Sequence, residues 1–267
     1  NARGFRMKRP AVLTIAGSDC SGGAGIQADL KTMTAFGVYG MSVITAVTAQ
    51  NTTGVYGIQK ISGEMVASQL DAVFADIVPA AVKIGMLADG KTAGIVAEKL
   101  LQYGAENIVV DPVMLPTSGS RLLDREGVEI LVSRIFPMAR LITPNVPEAE
   151  SLSGMEIRTG EDMEKAAAAL SCGCGVLVKG GHLSGAADDL LYDKGRATWF
   201  SSPRIDNPNT HGTGCTLSSA IASGLAKGWD LEKSVRKGKT YINAALKAGL
   251  DLGKGNGPLD HLAKRFY

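Results

Sequence analysis

Aromatic residues are scarce, at 5% of the 267 residues, while glycine reaches 33. That combination suits an α/β protein with many tight strand–helix turns better than a β-sandwich. No apolar run approaches the roughly 20 residues needed to cross a bilayer, and no signal peptide is visible. Neither a membrane partner nor an exported location is therefore expected. The four cysteines (Cys20, Cys172, Cys174 and Cys215) form no Cys-x-x-Cys pair. Cys172-Gly173-Cys174 reads as a turn before a buried strand more readily than as a zinc or disulfide site, and a reducing, cytoplasmic setting is the default. With three histidines, no second His at metal-ligand spacing and no Gly-x-Ser-x-Gly elbow, hydrolase chemistry finds no support. His261 reads as a surface or packing residue, and His211 as one that shapes the glycine turn directly after it.

Charge of one sign is also missing. The formal +2 rests on Arg3, Arg6, Lys8 and Arg9; the remaining 24 bases face 26 acids, a net of −2. A slightly acidic body makes a nucleic-acid partner unexpected. Residues 1–9 are expected to be a basic, flexible tail whose Asn1-Ala2 start is an appended remnant, with native translation near Met7. Residues 10–267 are expected to form one domain, a size that allows one sizeable core.

Within residues 10–267, short apolar runs alternate with helical patterns. Ala11 to Ala16, Ser42 to Thr48, Ala81 to Ile84, Ile108 to Val110, Leu141-Ile142 and Val176 to Val178 read as strands. Ile26, Leu30 and Met33 mark one helix face, Met65 to Ile77 repeat the spacing, and Leu231 to Leu250 close the chain. Continuous apolar strands imply burial on both faces, hence a mostly parallel sheet in a three-layer α/β/α sandwich. Gly57 to Ile61, Asp189 to Tyr192 and Thr198 to Phe200 read as edge or lid strands.

Ligands of such sheets bind beyond the carboxyl ends of the strands. The residues there are polar or glycine: Gly17-Ser18-Asp19, Gln50-Asn51, Gly85-Met86, Asp111 to Met114, Thr143-Pro144-Asn145 and Lys179 to His182. The most informative stretch is Asn209-Thr210-His211-Gly212-Thr213-Gly214-Cys215-Thr216, followed at once by a small-residue helix. A glycine turn at a helix start aims backbone N–H groups at one point, where a phosphoryl group would settle. Cys215, in the first turn, is expected to have its thiol pKa lowered. An anion cradle beside a base is an arrangement for phosphoryl transfer.

Two other patterns compete. Gly85-Met86-Leu87-Ala88-Asp89-Gly90-Lys91-Thr92 satisfies the Walker A pattern, with Ile108 to Asp111 as a possible partner strand. Met86 and Leu87 would, however, set bulky side chains where amides must wrap phosphate, so Lys91 reads better as a solvated helix-start residue. Gly23-Ala24-Gly25-Ile26-Gln27-Ala28 resembles a dinucleotide fingerprint, but the next strand ends in Thr48-Ala49-Gln50, with no acid for a ribose.

Taken together, Gly17 to Thr32, Thr48 to Thr52, Lys83 to Leu87, Asp111 to Met114, Thr143 to Glu150, Val178 to His182, the octapeptide and Gly257 to His261 resemble the bacterial hydroxymethylpyrimidine/phosphomethylpyrimidine kinases of thiamine biosynthesis. These blocks run in order from about Leu13 to His261, within the ribokinase-like superfamily. The resemblance implies two ATP-dependent phosphorylations, of 4-amino-5-hydroxymethyl-2-methylpyrimidine and then of its monophosphate. Carried over, Gly212, Thr213 and Gly214 line the anion hole and Cys215 takes the place of the base. Lys179 reaches the ATP phosphates, as does Asn145, while Glu148 and Asp111 hold Mg²⁺. Gln50, whose amide pairs donor with acceptor, would read the aminopyrimidine edge. Gly17, Ala24 and Met86 would pack against the ring, and Asp29 would meet its polar edge. A homodimer is also implied.

The chain departs from the family at Cys20, where proline, serine or threonine is commoner. In Leu115-Pro116-Thr117-Ser118-Gly119 it lacks the lysine often found before Ser-Gly. A pyridoxal kinase of the same fold, an enzyme serving both substrates, and a non-catalytic sensor of vitamin precursors stay open as alternatives.

Overall fold

The computed structural model describes residues 9–114, 123–180, 188–202, 205, 207 and 209–266. Among the described residues there are nine strands, all in one sheet, and eight α-helices. In chain order the strands are β1 (Ala11–Asp19), β2 (Tyr39–Asn51), β3 (Gly54–Lys60), β4 (Ala81–Ile84), β5 (Ile108–Val110), β6 (Ala139–Ile142), β7 (Gly175–Val178), β8 (Asp189–Asp193) and β9 (Arg196–Phe200). Their spatial order is β3-β2-β1-β4-β5-β6-β7-β8-β9. The run from β2 to β7 is parallel; β3 at one edge and β8–β9 at the other are antiparallel. The expected strands are all present, and the expected edge strands occupy the edges. Cys172 and Cys174 carry free thiols in the turn before β7, as that spacing suggested.

Eight α-helices cover the two faces: α1 (Gly25–Ala35), α2 (Gly63–Asp76), α3 (Gly90–Gln102), α4 (Arg125–Ile130), α5 (Val146–Ser153), α6 (Gly160–Leu170), α7 (Thr213–Ala226) and α8 (Leu231–Lys247). Alternate residues of each strand supply two cores. Leu13, Ile15 and Ile84 pack with Val66, Leu70, Val96 and Leu100 of α2 and α3. Val12, Val109 and Leu177 pack with Met33, Ile221, Val235 and Ile242 of α1, α7 and α8 on the opposite face. This is the three-layer arrangement that strands buried on both sides require.

Helix starts divide into two kinds. Ser62, Asp89, Asp124, Asn145, Thr159 and Asp230 each accept a backbone N–H and so cap α2, α3, α4, α5, α6 and α8. Ala24 and Gly212, which precede α1 and α7, provide no side-chain cap. Thr213 N donates to the Thr210 carbonyl at 3.2 Å, and the other leading N–H groups of those two helices lack a side-chain cap.

Capping also disposes of the Walker-like stretch. Asp89 accepts from Thr92 N and pairs with Lys60 at 2.9 Å, Asp124 accepts from Gly90 N, and Leu87 is buried. The start of α3 is thus filled by carboxylates where a phosphate would have to bind, and Lys91 is exposed.

Candidate active site

Strand β1 runs three residues past its apolar core, through a bulge between Ala16 and Ser18, and carries Gly17 to Asp19 onto the carboxyl edge of the sheet. Two left-handed glycines then bring the uncapped helices together. Gly25 has φ +56, and a Cβ there would strike the Gly17 carbonyl; Gly212 has φ +82, and a Cβ there would strike the Gly23 carbonyl. With glycine at both positions, the loop before α1 and the loop before α7 lie in contact. The Gly25 N–H faces the sulfur of Cys215, the third residue of α7. Two helix starts thus converge on one thiol.

A second group comes from strands β5, β6 and β7. Lys179, the residue after β7, places Nζ 2.8 Å from Asp111 Oδ1, just after β5. Thr143 Oγ1 lies 3.2 Å from the same carboxylate oxygen. A Cβ on Gly214 would fall 3.0 Å from Asp111 Oδ2 and 3.4 Å from Lys179 Nζ, so this glycine keeps the space above the pair clear. Asn145 and Glu148 form a reciprocal cap on α5: Asn145 N donates to Glu148 Oε2, and Glu148 N donates to Asn145 Oδ1, both at 2.8 Å. Burial, with the Asp111 charge adding, pushes the Glu148 carboxyl up to about 7 against the pull of Lys179. Burial also lies behind the raised Lys179 ammonium only as an opposing effect; Asp111 and Glu148 hold that cation charged.

Two expectations need correction. The Cys215 thiol is raised, not lowered, in pKa: burial outweighs the nearby Lys83 cation and the Gly25 N–H, while Asp29 and Asp111 push the same way as burial. A helix start stabilises a thiolate only as far as solvent does not have to be given up for it. Asp29, expected at the ring's polar edge, is instead fully buried and fully engaged. Its Oδ2 takes Thr14 Oγ1 at 2.6 Å and Lys83 Nζ at 2.8 Å, and its Oδ1 takes Ser219 Oγ at 2.7 Å. Ser219 is one turn beyond Cys215 on α7, so the ion pair lies under the thiol rather than in the pocket.

The remaining predicted residues line one wall. A Cβ on Gly17 would fall 2.5 Å from Met86 Cε, so the glycine seats the Met86 side chain. Ala24 N donates to Asp19 Oδ2 at 2.9 Å, and Gln50 Nε2 lies 3.2 Å from His211 Nε2. Cys20 Sγ lies 3.1 Å from the Gln50 carbonyl, at the exposed rim. Thr213 Oγ1 donates to the Thr210 carbonyl at 2.6 Å, closing the turn before α7. His182 and Leu115 to Gly119 lie outside the described residues.

Residue-by-residue reading placed Asp19 at the carboxyl edge and Lys83 in a matching block but gave neither a role. Asp19 accepts from Ser21 N, Ser21 Oγ, Gly23 N and Ala24 N, and His211 Nε2 stands 2.9 Å away. Against the cost of burial, these bonds, led by that of His211, hold its carboxyl down at about 2. An aspartate ahead of Ser-Gly-Gly is the available signal, since such a carboxylate can collect the loop's N–H groups. A groove of about 530 Å³, lined by Ile205, Asn207, Asn209, Leu246, Lys247, Gly249 and Asp251, opens beside the loop that leads to Gly212.

A parallel sheet with open helix starts at its carboxyl edge, a lysine after β7 and a cysteine in the first turn of α7 define a phosphotransferase of the ribokinase-like class. The chain belongs to the phosphomethylpyrimidine kinase family, whose model matches residues 19–260. It is 49% identical to the hydroxymethylpyrimidine/phosphomethylpyrimidine kinase of Rhizobium meliloti, over 93% of this chain and 96% of that one. It is 51% identical over 95% of its length to a thiamine biosynthesis bifunctional protein of Geobacter sulfurreducens, of which it spans about half, 52%. Among solved structures, an ADP complex of Bacillus subtilis pyridoxal kinase superposes with a TM-score of 0.89 at 38% identity, covering 96% of this chain and 98% of that one.

Proposed function

We propose that this kinase transfers the ATP γ-phosphoryl group to 4-amino-5-hydroxymethyl-2-methylpyrimidine, and a second group to the resulting monophosphate. The observation that carries the reading is the meeting of the open α7 start with Cys215, Lys179 and Asp111 at one edge of the sheet. The migrating phosphoryl group lies against the turn Gly212-Thr213-Gly214, where the helix dipole and the uncapped N–H groups of the α7 start complement its charge. Lys179 supports the phosphate oxygens from the far side of Gly214. The groove at Asn209 and Leu246 is of a size to take the nucleoside end of ATP.

Cys215 acts as the thiolate: it first gives its own proton to solvent, against the cost that burial imposes, and then takes the hydroxymethyl proton as the new P–O bond forms and the bond to ADP breaks. Phosphoryl transfer asks chiefly for positioning and charge stabilisation, so a late proton transfer is all that is needed of the base. The second acceptor is a phosphate and needs no base of that kind. Asp111 and Glu148 suit Mg²⁺, which one or two carboxylates commonly hold together with phosphate oxygens; the raised Glu148 carboxyl marks a place where further positive charge is welcome. Bound there, the ion would neutralise charge on the phosphates. Gln50 reads the aminopyrimidine edge while Gly17, Ala24 and Met86 flank the ring. The functional unit is a homodimer in the cytoplasm.

The likeness to pyridoxal kinase keeps a second acceptor in view. A coupled ATPase assay with hydroxymethylpyrimidine, its monophosphate and pyridoxal separates the readings. ATP consumption is expected with both pyrimidines and weakly with pyridoxal. Turnover of pyridoxal alone refutes the assignment.

A further inference from the structure

The reading above sets Gln50 at the acceptor ring, and the inference here rests on it. The Gln50 amide is placed with Oε1 3.2 Å from Thr48 Oγ1 and Nε2 3.2 Å from His211 Nε2, and the bonds around it call for the reverse assignment of the two amide atoms. Thr48 has a single hydroxyl proton, and the Ser18 carbonyl at 3.0 Å takes it. Towards the amide, then, Thr48 Oγ1 is an acceptor. His211 Nε2 also faces Asp19 Oδ2 at 2.9 Å, and that carboxyl, held at about 2, is ionised at neutral pH. A carboxylate accepts and never donates, so His211 Nε2 carries the proton. Protonated, Nε2 has no lone pair with which to accept from an amide N–H; its one proton lies between Asp19 and the amide, and the amide atom that can share it without conflict is oxygen.

We propose that Asp19 and His211 are positioning residues that hold the Gln50 amide with Oε1 towards His211 and Nε2 towards Thr48. The orientation follows from the surrounding bonds, as amide orientations ordinarily must. It leaves one N–H and one oxygen lone pair of Gln50 for the ligand. A ring nitrogen beside an exocyclic amine matches that pair, whereas a pyridine bearing a phenolic oxygen supplies no amine donor. The same His211 directly precedes Gly212, and a Cβ on Gly23 would strike its Cδ2.

A double-mutant cycle between His211→Leu and Gln50→Ala tests this, with KM and kcat measured for hydroxymethylpyrimidine, pyridoxal and ATP. His211→Leu is expected to raise the pyrimidine KM by about 10-fold, the loss of roughly one directed hydrogen bond. The ATP KM stays unchanged and the preference for pyrimidine over pyridoxal falls. In the Gln50→Ala background the same change adds less than about twofold, because the two residues act through one contact. Equal effects in both backgrounds, or a parallel loss for ATP, overturn the positioning role.

The side-chain amide spectrum of Gln50 decides the orientation independently of turnover. Thr48→Val is expected to move the Gln50 NH₂ resonances more than His211→Leu does, and the reverse order overturns the orientation. Absence of wild-type turnover with the pyrimidine overturns the function proposed above, while the amide spectrum still decides this point.

Discussion

Lys179 Nζ reaches across β6 to within 2.8 Å of Asp111 Oδ1, joining the carboxyl ends of β5 and β7. The pair stands under Gly214, in the first turn of an uncapped helix. A cation, a carboxylate and free N–H groups then share a small volume, which is what a charged group in flight between two oxygens needs.

Gly214→Ala separates this role from folding. Its Cβ would fall 3.0 Å from Asp111 Oδ2, in the space assigned to the phosphoryl group. A loss of turnover on the order of 10²-fold is expected, with a melting temperature near that of the wild type. Gly212→Ala should behave oppositely, since φ +82 and the Gly23 carbonyl both reject a side chain. Thermal unfolding of the two variants side by side checks the contrast.

Cys215→Ala is expected to slow phosphorylation of the alcohol by roughly 10²-fold and that of the monophosphate far less. Equal losses in both steps would make the thiol merely structural. Because burial raises the thiol, its alkylation by iodoacetamide should climb only above the pH at which ordinary cysteines react.

The Lys83–Asp29 pair is completely buried, at 0% exposure for both side chains. Lys83→Met leaves Asp29 with an unmatched charge and should cost about 3–5 kcal/mol of stability. Replacing both, as in Lys83→Met with Asp29→Leu, should recover most of that loss. Equilibrium denaturation reads this out. If the double variant folds well but turns over slowly, the pair acts on Cys215, not only on packing.

Glu148 gives a pH signature. Its carboxyl rises from 4.5 to about 7 on folding, chiefly through burial, so the native state binds the extra proton. Stability therefore falls as pH climbs from 4.5 to 7 and levels off above. Glu148→Gln, which can still accept from Asn145 N, should stabilise the protein at pH 8 by ~1–3 kcal/mol and by nothing near pH 4. It should also weaken the Mg²⁺ dependence of turnover. Melting curves across pH check the first claim, and metal titration the second.

Much of the architecture was legible because parallel strands buried on both faces are largely apolar, with Lys83, paired to Asp29, the exception within Ala81–Ile84. Ala81–Ile84 and Ile108–Val110 end where the apolar runs end. Strand β1 was misjudged by three residues, since the bulge at Gly17 lets polar Ser18 and Asp19 continue the pairing. The turn before α7 was legible from its glycines. Asp29 was not: its neighbours in sequence place it on a helix, but nothing local tells whether Lys83, 54 positions away, lies beneath it.

Composition, hydrophobic period and glycine spacing were enough to set the layers of the fold and to place the glycine turn before α7, because each depends on a few adjacent residues. Which way Cys215 titrates, which groups Asp29 serves, and how Asp19, His211 and Gln50 meet were decided only in three dimensions. Desolvation and charge act through space, and their balance depends on residues that the chain keeps far apart.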